Sequence, residues 1–333
     1  MREFLLVVTD LLRVPPDAGE ADGGALAALR FGAALALPGG DWRCWLAPRL
    51  ESAIRDGRSL AATVAAAQPE PGLLAEGAWL ATPLHLVAGL DTLHLPSDGI
   101  LTLEPAERSA LAASFGTALG GDGLALHVVD GDALLLTGLN LPGVATVEPA
   151  SCLGADLARA QPAGSGATKL RRLMAEIEMW LHEHPVNLRR EAAGRRAVRA
   201  LWLWGGGPRP AIESAAAPAR IQRVHSDDAW VRAAASLAGV ALAPQSEPVG
   251  AAAFAARDDE DLVATVSWQA PEVADPAAFE QRHLAPAVHA LASGRLQRLT
   301  IVAARRCVTV EASDRYRLWR PRRAWLVALG AEG

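Results

Sequence analysis

Lysine is almost absent from this 333-residue chain: Lys169 stands alone against 31 arginines. Beside a heavy alanine load, that skew reads as base composition rather than as a demand for guanidinium chemistry. Cysteine is nearly as scarce. Cys44, Cys152 and Cys307 are odd in number and far apart, which excludes a disulfide framework and any CxxC pair and fits a reducing cytoplasm. No apolar run approaches the roughly 18 residues a membrane helix needs. The opening MREFLLVVTDLLRVPPD has too short an apolar core for a signal peptide, and Asp10 interrupts it. Also missing are a Walker Lys-Ser/Thr, a GxGxxG and a GxSxG elbow, so no complete catalytic signature is present. The expectation is a cytoplasmic protein with no membrane contact.

What the chain has is an uneven charge. Residues 1–150 carry 8 basic and 18 acidic side chains, and residues 151–333 carry 24 basic and 19 acidic. The halves are therefore −10 and +5 within a total of −5. A nucleic-acid binder would be basic overall, so no nucleic-acid partner is expected. An acidic part, 1–160, and a basic part, 169–333, are expected on either side of a Pro/Gly/Ser-rich hinge at 161–168, or as one continuous domain.

Short apolar runs alternate with helical stretches through most of the chain. Phe4 to Thr9, Ile221 to Val224 and Leu262 to Trp268 read as strands, and Leu124 to Leu136 as a hairpin about Asp130-Gly131. Helices are expected over Ala25 to Leu37, Leu60 to Ala67, Glu104 to Leu119, Lys169 to His184 and Pro276 to Ala292. Another runs to Leu237, capped by Asp227 or Asp228. Leu299 to Trp319 reads as an antiparallel meander. The class is α/β, with a mixed sheet flanked by helices and a β-rich C-terminal meander.

The densest stretch is Met179 to Pro210, where a helix stops at His184-Pro185, arginines follow, and the apolar run Val198 to Trp204 empties into Gly205-Gly206-Gly207. A strand leading into glycines exposes backbone N–H groups, as anion sites do. Between Lys169 and Arg209 stand 9 basic and 4 acidic residues, which points the same way. His182 and His184 do not read as a metal pair: two residues apart on a helix they face opposite sides, and Pro185 pulls His184 out of helical geometry.

HEHPVNLRREAAG followed by LWLWGGGPRP resembles the Rpf-E-type bacterial regulatory protein family, a group also described as cofactor-independent phosphoglycerate-mutase-like. WLATPLHLVAGLDTLHL, HSDDAWVRAAASLAG and the closing RLTIVAARRCVTVEASDRYRLWRPRRAW are similar to other segments of that group. The resemblance implies an alkaline-phosphatase-like core. It carries a ligand site onto His85, His184, Asn187, Arg190, Trp204, Gly205, Gly206 and Gly207, with Thr82 standing where the family has Asp. True mutases of that superfamily use a metal pair held by Asp and His, and a Ser nucleophile. Here only Asp10 stands where a metal ligand is expected. The resulting expectation is a regulatory or ligand-sensing protein, with no cofactor and no established catalysis, that binds a small anionic phosphorylated metabolite and has a possible regulatory protein partner. The alternatives are a phosphoglycerate mutase or phosphatase using a divalent metal, and a partner-binding scaffold.

Overall fold

The computed structural model describes residues 2–9, 33–37, 42–50, 60–69, 77–89, 92–130, 133–207, 221–244, 249, 254, 261–266, 276–303 and 306–316. Its first elements are β1 (Glu3–Val8), β2 (Ala33–Ala36), α1 (Trp42–Leu46), α2 (Leu60–Ala66), β3 (Trp79–Leu84), β4 (Val87–Ala88), β5 (Leu93–Leu95) and α3 (Pro105–Leu119). There follow β6 (Ala125–Val128), β7 (Leu134–Thr137), β8 (Val144–Ala145), β9 (Ala155–Asp156), β10 (Ala163–Gly164), α4 (Ala167–His182), α5 (Pro185–Ala192) and β11 (Ala200–Trp204). The last are β12 (Ile221–His225), α6 (Ala229–Leu237), β13 (Ala241–Ala243), β14 (Asp261–Val266), α7 (Pro276–Phe279), α8 (Ala285–Ala292), β15 (Arg298–Ala303) and β16 (Arg306–Glu311).

These elements form two compact units, one made of Met1–Gly57 with Glu213–Gly333 and the other of Arg58–Ile212. The chain thus divides at neither end of the expected hinge. Ala163 and Gly164 pair with Ala145 and Val144 in a two-stranded ribbon, so the 161–168 stretch is built into the inserted unit. Its Pro/Gly/Ser content makes local turns rather than a boundary.

The discontinuous unit holds a seven-stranded mixed sheet ordered β13-β12-β14-β1-β15-β16-β2. Strand β1 lies parallel between β14 and β15, and β12 is parallel to β14. A strand covered on both faces should be apolar without alternation, and Phe4 to Val8 are all buried. Phe4, Leu6 and Val8 pack with Leu299 and Ile301 against Phe279, Leu284, Val288 and Leu291. The class is α/β with a mixed sheet flanked by helices, as read from the sequence.

Two sequence expectations change here. The C-terminal meander is a hairpin, β15 to β16, whose next neighbour is β2 from near the start of the chain. Residues 317–319 of the expected meander lie outside the described residues. Consequently Ala33–Ala36, read as the end of an alanine-rich helix, is an edge strand in register with Arg306 to Thr309. Pairing to β16 overrides alanine's helix propensity, which is worth only tenths of a kcal/mol per residue. The expected Pro276 to Ala292 helix forms with a π-turn at Glu280–Leu284, where Ala285 N–H donates to Glu280 O. Pro286 accounts for it: the ring lacks an N–H and collides with a helical carbonyl one turn back, so the helix widens just before it.

The inserted unit carries a four-stranded antiparallel sheet ordered β11-β3-β7-β6. The β6–β7 hairpin falls where Asp130-Gly131 placed it, with Val128 opposite Leu134. Helix α4 buries Leu170, Leu173, Met174, Ile177 and Leu181, the stripe its spacing marks out. The unit's two ends are tied together, because Ala61 N–H at the start of α2 donates to Gly205 O just past β11 (3.0 Å).

His283, inside the π-turn, is buried beside Phe279, with ring centroids 5.1 Å apart. Burial first, and the Arg282 charge second, push its imidazole down to about 4. The fold therefore holds the neutral ring, and the unfolded chain takes up a proton more readily between about pH 6.5 and pH 4. Stability from this group is present above pH 6.5 and is lost as pH falls through that window. Melting temperature followed by circular dichroism should drop less steeply from pH 6.5 to 4 in His283→Leu than in the wild type; equal slopes contradict the assignment.

Candidate functional site

The residues singled out by the central motif lie in the inserted unit, and most of them do converge. Helix α4 stops because Pro185 cannot continue it, and α5 begins with Pro185 at its first position, where the missing N–H costs nothing. His184 caps α5: its Nδ1 accepts from Val186 N–H (3.1 Å). That bond fixes the neutral tautomer with the hydrogen on Nε2, which then donates to Ser114 Oγ (2.8 Å). Ser114 passes its own hydrogen to Ala110 O (2.7 Å). Nε2 is therefore a donor, and His184 is not a base for Ser114.

Three of the motif's side chains grip three consecutive residues just ahead of β11. Arg190 Nε donates to Arg196 O (2.6 Å), and His85 Nδ1 lies 3.0 Å from Ala197 O. Asn187 clamps Val198, its Nδ2 donating to Val198 O (2.8 Å) and its Oδ1 accepting from Val198 N–H (2.8 Å). The same amide also donates to Leu181 O at the end of α4 (2.7 Å). Asn187 and Arg190 are 2% and 4% exposed, so their partners are protein groups rather than water. The guanidinium that was read as a ligand's counter-ion has one already. Arg190 Nη1 lies 2.7 Å from Glu107 Oε2, and Glu107 Oε1 receives Arg195 Nη2 (2.9 Å). Glu107 also accepts from Glu104 N–H at the start of α3 (2.9 Å), one half of a capping box.

The glycine loop is likewise engaged. Gly205 has φ +67°, and its N–H donates to Thr146 Oγ1 (3.2 Å). A Cβ on Gly206 would come within 2.6 Å of the Trp79 ring. Trp79 is itself fixed, its Nε1 donating to Leu139 O (2.8 Å). Trp204 Nε1 donates to Thr82 Oγ1 (2.8 Å), so Thr82 holds an indole. Glycine is required here for a left-handed bend at Gly205 and a close indole contact at Gly206.

A second polar group occupies the discontinuous unit, at the carboxyl ends of its parallel strands, where ligands bind in open α/β sheets. Ser226, Asp227 and Asp228 follow β12, Thr265 lies at the end of β14, and Thr9 follows β1. Ser226 Oγ is hydrogen-bonded to Thr265 Oγ1 and accepts from Asp228 N–H (3.1 Å). Asp228 caps α6 by accepting from Val231 N–H (2.9 Å), as expected, and its other oxygen meets Arg43 Nη2 (3.1 Å). Arg43 is buried and stacks over Trp42, with the guanidinium carbon 4.2 Å from the ring centre. Asp227 is exposed. Sequence reasoning passed over Ser226 and Thr265, which only the parallel pairing of β12 with β14 brings together, and Arg43, which reaches Asp228 from the distant helix α1. Asp10 lies outside the described residues.

Removing Arg190 leaves the Glu107 carboxylate buried with one cation fewer. Arg190→Ala should lower unfolding free energy by about 3–5 kcal/mol in urea titrations. Glu107→Gln on that background should restore part of the loss, and an additive double mutant would contradict the pairing. Gly206→Ala, forced against Trp79, should cost about 1–3 kcal/mol.

No protein-family model matches the chain. Local similarity exists to three curated proteins. The 2,3-bisphosphoglycerate-independent phosphoglycerate mutase 2 of Methanothermobacter thermautotrophicus is 38% identical over 80 residues, 24% of this chain and 20% of that protein. The corresponding mutase of Methanothrix thermoacetophila is 36% identical over 64 residues, 19% of this chain and 16% of that protein. The probable mutase of Geobacter sulfurreducens is 33% identical over 72 residues, 22% of this chain and 18% of that protein. The matched segments thus span at most a fifth of each relative. Two solved structures superpose on most of the chain. The cofactor-independent phosphoglycerate mutase of Thermoplasma acidophilum gives a TM-score of 0.39 at 13% identity, covering 93% of this chain and 89% of its own. The PH0037 protein of Pyrococcus horikoshii gives 0.46 at 11% identity, covering 93% and 87%. Both superpositions are too loose to define a shared fold. The expectation of no cofactor is overturned, since the class to which these relatives belong works with divalent metal ions. Among the described residues, no group of three or more His, Cys, Asp or Glu side chains is placed to hold such an ion. No helix among them is long and apolar enough to cross a membrane.

Proposed function

We propose that this chain handles a small phosphorylated acid by phosphoglycerate-mutase-like phosphoryl transfer, at the carboxyl edge of the discontinuous unit's parallel strands. The observation that carries the reading is the 33–38% local identity to three proteins named as phosphoglycerate mutases. The geometry supports the location. Parallel strands end together at that edge and carry hydroxyl and carboxylate groups there, and the Arg43 guanidinium of α1 reaches Asp228. The central motif, by contrast, has its polar groups bonded to the protein.

Each group there has a separable part. The Ser226–Thr265 hydroxyl pair links β12 to β14 and holds the turn through Asp228 N–H. Arg43 fixes Asp228 and raises the local positive potential. Asp227 is exposed beside that turn, and in this reading it exchanges a proton with a substrate hydroxyl. A sensing protein of the Rpf-E kind is the finer reading of the same edge, in which the phosphorylated acid is bound and left unchanged.

Conversion of 3-phosphoglycerate to 2-phosphoglycerate, coupled to enolase and run with added Mn²⁺ or Mg²⁺ and after chelation, tests the reading. Turnover is expected, with Asp227→Asn lowering kcat on the order of a hundredfold. Binding by calorimetry without turnover under any metal would favour the sensing reading. Neither binding nor turnover would overturn both.

A further inference from the structure

The joint between α4 and α5 depends on one uncharged imidazole. His184 is 6% exposed and lies among Ser114 of α3, Trp180 of α4 and the first turn of α5. Its ring centroid is 4.8 Å from that of Trp180, which in turn stands edge-on to Phe115. Both ring nitrogens have fixed roles, Nδ1 as acceptor for Val186 N–H and Nε2 as donor to Ser114. A second proton can enter only at Nδ1, where it meets an N–H already pointing at it. Two donors would then face each other, and the cap of α5 would be lost.

We propose that this joint is a pH-sensitive latch: protonation of His184 at Nδ1 uncaps α5 and loosens the grip of that helix on the segment leading into β11. The surroundings bias the latch toward its closed form. On α5, the Arg189 charge opposes protonation, and burial opposes it more strongly; together they hold the imidazole below its ordinary range. The other charged groups of these helices are Glu107 and Arg108 on α3, Lys169, Arg171, Arg172, Glu176, Glu178 and His182 on α4, Glu183 at the joint, and Arg190 and Glu191 on α5. Of these, Glu107 is taken up by Arg190 and Arg195, and Glu176 by Arg172. The helix that would be released carries Asn187 and Arg190, so the clamps on Val198 and Arg196 weaken together.

The sign follows from the depressed value. The closed joint is fully favoured above about pH 6.5 and opens as pH falls below it. Hydrogen exchange of the full-length chain, read by mass spectrometry on peptides covering 185–192 and corrected for intrinsic rates, tests the latch. Opening of α5 should be about five- to tenfold more frequent at pH 5.5 than at pH 7.5, the effect of losing one helix cap. His184→Asn, which caps without titrating in this range, should abolish the difference. Equal protection at both pH values in the wild type, or unchanged acceleration in His184→Asn, overturns the proposal. Should that variant fail to fold, the ring's own titration by NMR decides. A proton on Nε2 with protonation below pH 6.5 is expected, and protonation at or above that value overturns the latch.

Discussion

A carboxylate removed from water must be answered by positive charge and N–H donors, and in the inserted unit Glu107 imposes that requirement on everything around it. Its oxygens collect the Arg190 and Arg195 guanidinium groups and the N–H that opens α3. Arg190 in turn holds Arg196 O, next to the residues that His85 and Asn187 hold. One buried charge therefore links α3, α5 and the approach to β11. Desolvation makes such a pair a poor source of net stability, but loss of either partner is costly, so the residues around it are tightly constrained. A conspicuous motif results, with no ligand needed to explain it.

That constraint is why local pattern reported the elements of the fold but not the groups to which the motif's side chains bond. Periodicity marked α4, the β6–β7 hairpin, the β1 strand and the Asp228 cap, because each is decided by near neighbours along the chain. Local patterning does not report partners far away in sequence. Nothing in PVNLRRE shows that Arg190 meets a carboxylate 83 residues earlier, or that Gly206 is small to admit Trp79. The Ala33–Ala36 strand failed for the same reason, its partner being β16 near the other end of the chain. Ser226 and Thr265 carry no common pattern until β12 and β14 lie side by side, and Arg43 reaches Asp228 from α1 across 185 residues of sequence.

The motif and the reaction-type chemistry consequently separate. The resemblance pointed at the inserted unit, where polar groups are paired with protein. The position that open parallel sheets favour for ligands lies in the other unit, at the Ser226–Asp228 turn. The similarity to phosphoglycerate mutases is local, 64 to 80 residues, and the proposed phosphoryl chemistry rests on it.

Amide chemical shifts recorded while 3-phosphoglycerate is added, with and without Mn²⁺, discriminate most directly between a structural and a ligand-binding motif. The account predicts that saturable changes centre on Thr9 and residues 225–228, with residues 184–190 and 205–207 unmoved. Changes confined to Asn187, Arg190 and the triple glycine would contradict it.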